Sequence, residues 1–183
     1  MIIGLNGLAR SGKDTAAEYI AWRYGFERYA FADPIRNMLR VGFGLTDWDF
    51  NEGKEDPLEE WGVSPRYMMQ TLGTDWGRER LRSDCWLKVA QRNVRDNTII
   101  SDVRFNNEAQ WIQDTGGLVI RITRDNAPTV AAHVSENGIS ETLIAYEIYN
   151  IGTKQELYDN LDEILSEWGL VVLQLEPVRE RST

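Results

Sequence analysis

The chain begins with an apolar run, Met1 to Leu5, and a short run without polar alternation predicts a strand buried on both faces. Gly12 to Tyr24 predicts a helix, with Gly25 just past its end as the stop signal. Phe26 to Phe31 alternates and predicts a second strand. Asp33-Pro34 is a helix start, the aspartate as cap and the proline in the first turn, and Ile35, Met38 and Leu39 carry an apolar stripe through Arg40. From Gly42 to Gly62 the pattern dissolves into Gly, Asp, Asn and Glu with scattered aromatics, which predicts an exposed, partly ordered insertion.

Ser64-Pro65 opens another helix through about Thr71, and Ser83-Asp84 caps one from Cys85 to Val94, with Trp86, Val89 and Ala90 inward. Asn97 to Ser101 reads as a strand, Phe105 to Thr115 as a helix, Gly116-Gly117 as a turn and Leu118 to Thr123 as a strand. Tyr146 to Ile151 predicts another strand, Lys154 to Trp168 an amphipathic helix, and Leu170 to Leu173 a short last strand before a frayed tail, Glu176 to Thr183.

Strands alternating with helices predict an α/β fold with a mainly parallel sheet. Ligands of such sheets lie at the carboxyl ends of the strands. Two polar features fall on that edge: the loop after the first strand, and Asp102-Val103-Arg104 after the strand that ends at Ser101.

The loop is Gly7-Leu8-Ala9-Arg10-Ser11-Gly12-Lys13, a Gly-x4-Gly-Lys string between a strand and a helix. Glycines there let successive N–H groups turn inward on a phosphate, the helix N-terminus adds its positive end, and Lys13 reaches the outer phosphates. The alternative is a glycine-rich turn that binds nothing. The residue after the lysine, commonly a Mg²⁺-ligating hydroxyl, is Asp14, with Thr15 next. Asp14 can hold the metal through water or complement the helix dipole.

A chain of 183 residues is the length of one domain. Its net charge of -9 argues against a nucleic-acid or anionic-membrane surface, so an anion must be met locally. Of the 20 basic residues 16 are arginine, the better fork for phosphate. Arg10, Arg36, Arg104, Arg121 and Arg124 stand at strand ends and helix starts, and their value is collective. Cys85 is the only cysteine, which excludes an internal disulfide and predicts a buried free thiol. No apolar stretch is long enough to span a membrane and no signal segment opens the chain, so a soluble cytoplasmic protein is expected.

Six blocks in order, Arg10 to Thr15, Phe31-Ala32-Asp33-Pro34-Ile35-Arg36, Met69 to Asp75, Trp86-Leu87-Lys88, Ser101 to Arg104 and Asn150-Ile151-Gly152, closely resemble the deoxynucleoside monophosphate kinases of tailed bacteriophages. The resemblance implies a P-loop kinase, a three-layer α/β/α fold with a five-stranded sheet, in one domain over residues 1–175. It implies transfer of the ATP γ-phosphate to a deoxynucleoside monophosphate with Mg²⁺, small-molecule substrates, and a homodimer as one arrangement. Ala9, Arg10, Ser11, Gly12, Lys13, Asp14, Thr15 and Arg124 would hold ATP, with Asn150 and Gly152 near its adenine. Asp33, Arg36, Gln70, Thr74, Asp75, Trp86, Lys88, Arg104, Asn106 and Glu108 would line the acceptor site. Lys13, Arg10, Asp102 and Arg104 would act in catalysis, with Asp14, Thr15 and Asp102 toward the metal. Residues 121–141, with Arg124, His133, Ser135 and Glu136, would form a lid.

The residues by themselves leave alternatives. Asp102 also suits a cap for the helix from Phe105, Trp86 a core position, and His133 a lid or surface contact, since it has no nucleophile and acid beside it. A small-metabolite kinase, similar to phosphomevalonate or dephospho-coenzyme A kinases, shares the general plan. A nucleotide-binding switch is the third reading; an Asn-Lys-x-Asp string is absent, and the arginines outside the loop would have no purpose in it.

Overall fold

The structure, a computed structural model, describes residues 1–124 and 138–171. The apolar opening run forms β1, Ile2–Asn6, buried along its whole length. It is the centre of a five-stranded sheet with β2 (Glu27–Tyr29), β3 (Thr98–Ile100), β4 (Leu118–Thr123) and β5 (Tyr146–Tyr149), in the order β2-β3-β1-β4-β5. All four ladders are parallel, with Ile2 opposite Thr98, Ile3 opposite Leu118, and Ile120 opposite Tyr146.

Alternation along the strands separates two cores. Ile3 and Leu5 of β1, with Ile120 and Ile122 of β4, face α1 (Lys13–Tyr24) and the last helix, Lys154–Glu167, through Ala17, Ile20, Leu161 and Leu165. Ile2, Ile100 and Val119 face the other way, against α2 (Asp33–Phe43) and two helices at Cys85–Asn93 and Asn106–Asp114. Each fully buried aliphatic side chain contributes about 1.5–3 kcal/mol. Gly4 is glycine because its face of β1 is crossed closely: a Cβ there would lie 2.6 Å from Ile112 Cδ1. This is the parallel α/β sheet that the alternation predicts, in the three-layer form that the resemblance implies.

The predicted insertion is largely exposed but contains order. Helix α2 runs past Arg40 to Phe43 and stops at Gly44 in a left-handed conformation (φ 71). A single turn follows, α3 (Asp47–Phe50), closed by a reciprocal Thr46–Asp49 capping box, with Leu45 and Phe50 buried. The next helix, α4 (Pro65–Gln70), is capped by Ser64, whose hydroxyl accepts from the Tyr67 N–H at 3.2 Å.

From Thr71 to Leu81 the chain continues as a π-helix, which the sequence reading did not anticipate. The wide helix seats the Trp86 indole, whose Nε1 donates to the Gly73 carbonyl at 2.7 Å. A Cβ on Gly77 would lie 2.8 Å from that ring, so its absence makes the approach possible. Cys85–Asn93 is α5, Asn106–Asp114 α6 and Lys154–Glu167 α7.

Three local expectations are corrected. Asp33 is the first residue of α2, not its cap; Ala32 holds that position, and the Asp33 carboxylate accepts from the Ala30 N–H at 2.8 Å and from Arg36. Asp84 precedes α5 without capping it, because its oxygens are taken by Arg82. No strand forms at Leu170 and Val171: the Leu170 N–H is used on the Leu165 carbonyl at 3.0 Å, closing the end of α7. Residues 172–173 and the tail 176–183 lie outside the described residues. Cys85 is buried and free, and burial raises its thiol pKa.

Candidate active site

The glycine loop leaves β1 at Asn6. Gly7 and Gly12 take positive φ, 143 and 107, and Arg10 a left-handed φ of 63. At Gly7 the fold leaves no room for a side chain, since a Cβ would stand 2.2 Å from the Ile122 carbonyl oxygen. The Ser11 hydroxyl inside the loop is buried without a hydrogen-bond partner. A buried donor left unpaired is costly, and a phosphate oxygen is the partner the loop geometry suits. Lys13 Nζ donates to the Leu8 carbonyl at 2.6 Å, drawing the ammonium back across the loop. Ala9 and Thr15 are half-buried at the loop and first helical turn, Asp14 is exposed, and α1 starts at Lys13 with no side-chain cap.

Across the sheet edge, the Val103 N–H donates to the Leu5 carbonyl at 3.0 Å, and Asn6 Nδ2 donates to the Val103 carbonyl at 2.9 Å. The loop and Asp102-Val103-Arg104 are therefore stitched together at the carboxyl end of β1. Asn6 Oδ1 also accepts from Arg121 Nε at 3.2 Å. Sequence reasoning passed over Asn6, although a polar residue that ends an otherwise apolar buried run was its signal.

Asp102 does not cap α6. Its two oxygens accept from the Phe31 and Ala32 N–H groups at 2.7 and 3.0 Å, holding the β2–α2 turn. Burial raises its pKa, with Arg104 and those N–H groups pulling the other way. The cap of α6 comes from Glu108, which is 1% exposed. Burial pushes that carboxyl up to about 7 against the opposing pull of Arg78 and the Arg104 N–H.

A cavity of about 240 Å³ opens beside the loop, lined in part by Gly7, Ser11, Arg104, Arg121, Arg124 and Glu147. Arg121 is committed to structure, donating to Asn6, to Glu141 and to the Ile139 carbonyl. Asn150 Nδ2 donates to the Ser11 carbonyl at 2.8 Å, which brings the β5–α7 turn onto the loop. Gly152 stands on that turn, where a Cβ would meet the Glu156 carboxylate that caps α7.

On the other side lie Asp33 and Arg36, paired at 3.1 Å, with the Arg36 Nε buried and unpartnered. The π-helix packs beside them, since a Cβ on Gly73 would come within 2.9 Å of Ile35. It carries Thr74, buried, and Asp75, exposed, and Gln70 precedes it. Trp86 is 5% exposed beneath this helix, so its ring supports the wall rather than standing at its surface. Lys88 is exposed and 3.9 Å from Asp84, with nothing joining it to the other residues of this side. Asn106 accepts from the Ser140 N–H at 2.8 Å, tying α6 to the chain beyond residue 137. Of the predicted lid, residues 125–137, including His133, Ser135 and Glu136, lie outside the described residues.

Among the described residues no group of three acidic, histidine or cysteine side chains converges as a metal cage. Mg²⁺ bound with a nucleotide does not require one, because one or two carboxylates or hydroxyls, water and phosphates suffice. Asp102, whose two oxygens each accept a single N–H, and the hydroxyl of Thr15 have the donor chemistry of that pattern. No helix among the described residues is long and apolar enough to cross a membrane.

A protein of Acanthamoeba polyphaga mimivirus, provisionally named a deoxynucleotide monophosphate kinase, is 34% identical over 182 residues, 88% of this chain and 94% of its own. The deoxynucleoside-5'-monophosphate kinase of Escherichia phage T5 is 26% identical, covering 97% of this chain and 98% of its own. Among solved structures, shikimate kinase from Aquifex aeolicus superposes with a TM-score of 0.51 at 14% identity, over 93% of this chain and 99% of its own, a likeness of fold alone. The family model for deoxynucleotide monophosphate kinase matches residues 1–56 and 49–161, and the chain belongs to that family.

Proposed function

We propose that the protein transfers the γ-phosphate of ATP to a deoxynucleoside 5'-monophosphate, giving the diphosphate and ADP. Family membership supports the reaction class. The observation that carries the site is the pair of hydrogen bonds joining Leu5 and Asn6 to Val103, which sets the phosphate loop beside Asp102 and Arg104. In the transfer an oxygen of the acceptor phosphate bonds to the γ-phosphorus while the bond from that phosphorus to the β–γ bridging oxygen breaks. Catalysis of such a step is positioning and charge neutralisation.

The N–H groups of residues 9–13 and the Ser11 hydroxyl take the phosphates of ATP, and Lys13 leaves the Leu8 carbonyl for the β and γ oxygens. Arg10 and Arg124 stand over the same phosphates, and Asn150 and Gly152 border the nucleoside. Asp33, Arg36, Gln70, Thr74 and Asp75 form the acceptor wall, with Trp86 behind it. Arg104 stands between donor and acceptor. Bound Mg²⁺ would neutralise phosphate charge, with Thr15 and Asp102 as its protein ligands and Asp14 at the second remove.

The test is ADP release measured by a coupled assay over the four deoxynucleoside monophosphates and their ribose counterparts, with wild type and Lys13→Ala. Wild type should turn over with at least one deoxynucleotide. The folded Lys13→Ala protein should lose at least about 10²–10³-fold in kcat. Undiminished turnover in that variant refutes the donor site, and a wild type silent on every deoxynucleotide refutes the reaction.

A further inference from the structure

Arg78 lies on the π-helix, outside every motif that marks the site, yet it makes the most buried ion pair among the described residues. Its side chain is 10% exposed and its partner, Glu108, 1% exposed, thirty residues further along the chain. The guanidinium pairs with Glu108 Oε1, donates to the Ser83 carbonyl at 3.0 Å and lies 3.8 Å over the centre of the Phe105 ring. The other carboxylate oxygen, Oε2, accepts from the backbone N–H groups of Arg104 at 2.8 Å and Phe105 at 3.1 Å. One carboxylate thus joins the π-helix on one oxygen to the backbone of Arg104 on the other.

Breaking such a pair from one side strands the remaining charge in the interior. A surface fastening would not be built this way. The planar fork of arginine, stacked on Phe105, fixes the orientation of the carboxylate, and a lysine ammonium cannot do that.

We propose that Arg78 is a positioning residue, acting through Glu108 to hold the Arg104 backbone so that its side chain is presented to the cavity beside the phosphate loop, and tying that presentation to the helix that forms the acceptor wall. The proposal rests on the kinase reading and on Arg104 acting in transfer. Because the link runs through the backbone N–H groups of Arg104 and Phe105, it also has a consequence independent of activity.

The experiment uses Arg78→Lys and Arg78→Met, each alone and combined with Arg104→Lys. Amide hydrogen exchange is followed at Arg104 and Phe105, and kcat and KM are measured for both substrates. Arg78→Lys should speed exchange at those two amides while leaving β1 and β4 protected. It should lower kcat about tenfold or more, as misplacement near the chemistry does, with KM for ATP unchanged. In the Arg104→Lys background the same substitution should cost less than about twofold, the non-additivity of two residues acting as one unit. Unchanged exchange at both amides, or equal losses of kcat in the two backgrounds, overturns the proposal. If Arg78→Met fails to fold, the Arg78→Lys set decides. If wild type phosphorylates deoxynucleotides but Arg104→Lys keeps full kcat, the role of Arg104 fails and the proposal with it; if wild type is inactive, the kinase reading fails first.

Discussion

The Asn150 side-chain amide donates to the Ser11 carbonyl at 2.8 Å, and a methyl group on the intervening Gly12 would stand 2.3 Å from that same amide nitrogen. Gly12 therefore serves both its own backbone, at φ 107, and the contact that brings the β5–α7 turn to the loop. Gly12→Ala should cost roughly 1–3 kcal/mol of stability from backbone strain and weaken ATP binding more than acceptor binding. Thermal unfolding and nucleotide titration check this; wild-type ATP affinity in a folded Gly12→Ala protein refutes it.

Arg36 keeps one nitrogen on Asp33 and another buried without a partner. A monophosphate gripped by two guanidinium nitrogens would satisfy it, as a lysine cannot. Charge-assisted hydrogen bonds are worth about 1.5–3 kcal/mol, so Arg36→Lys should raise KM for the monophosphate roughly 10- to 100-fold, with KM for ATP unchanged. Steady-state kinetics in both substrates decide it, and a rise in the ATP KM alone places the acceptor elsewhere.

Glu108 gives a pH dependence of defined sign. Its carboxyl takes up a proton at about 7 in the fold, against 4.5 for an ordinary glutamate. The native state thus holds the proton more tightly than the unfolded chain, and the resulting stability is complete below about 4.5 and lost as pH rises through about 7. The unfolding free energy of wild type minus that of Glu108→Gln should fall by something on the order of 2 kcal/mol across that window. Urea denaturation at a series of pH values measures it; a flat difference means that Glu108 is ionised throughout.

Trp86→Phe keeps the ring under the π-helix but removes the donor to the Gly73 carbonyl. The loss of one such hydrogen bond costs about 0.5–1.5 kcal/mol. The variant should unfold at lower denaturant concentration and show a raised KM for the acceptor, whose wall that helix is proposed to form. Unchanged KM alongside reduced stability would confine Trp86 to the core.

The sheet was legible because β1, β3 and β4 are apolar on both faces and the punctuation between elements is glycine, proline and aspartate used conventionally. The phosphate loop was legible for the same reason, since the backbone geometry it needs leaves a spacing in the sequence. The π-helix was not. Its hydrogen bonds skip one residue more than those of an α-helix, no hydrophobic period announces it, and Gly73 and Gly77 serve in it as clearances, the first for Ile35 and the second for Trp86. Asp33 and Asp84 were read as helix caps from local sequence, and a cap was the alternative reading of Asp102. Partners decide where a carboxylate goes, and for Asp102 those partners, Phe31 and Ala32, are some seventy residues away. Arg78 could not be found at all, because an ion pair across thirty residues leaves no local trace.

The central place of β1 has a kinetic consequence. The first strand of the chain finds both its neighbours in the second half: Ile2 waits for Thr98 and Ile3 for Leu118. As the chain is synthesised, the strand that carries the phosphate loop has an unpaired edge on each side until β3 and β4 have emerged. Pairings that close such long stretches form slowly and leave apolar edges open to association in the meantime. Nascent chains truncated before Thr123 should therefore neither hold nucleotide nor stay dispersed.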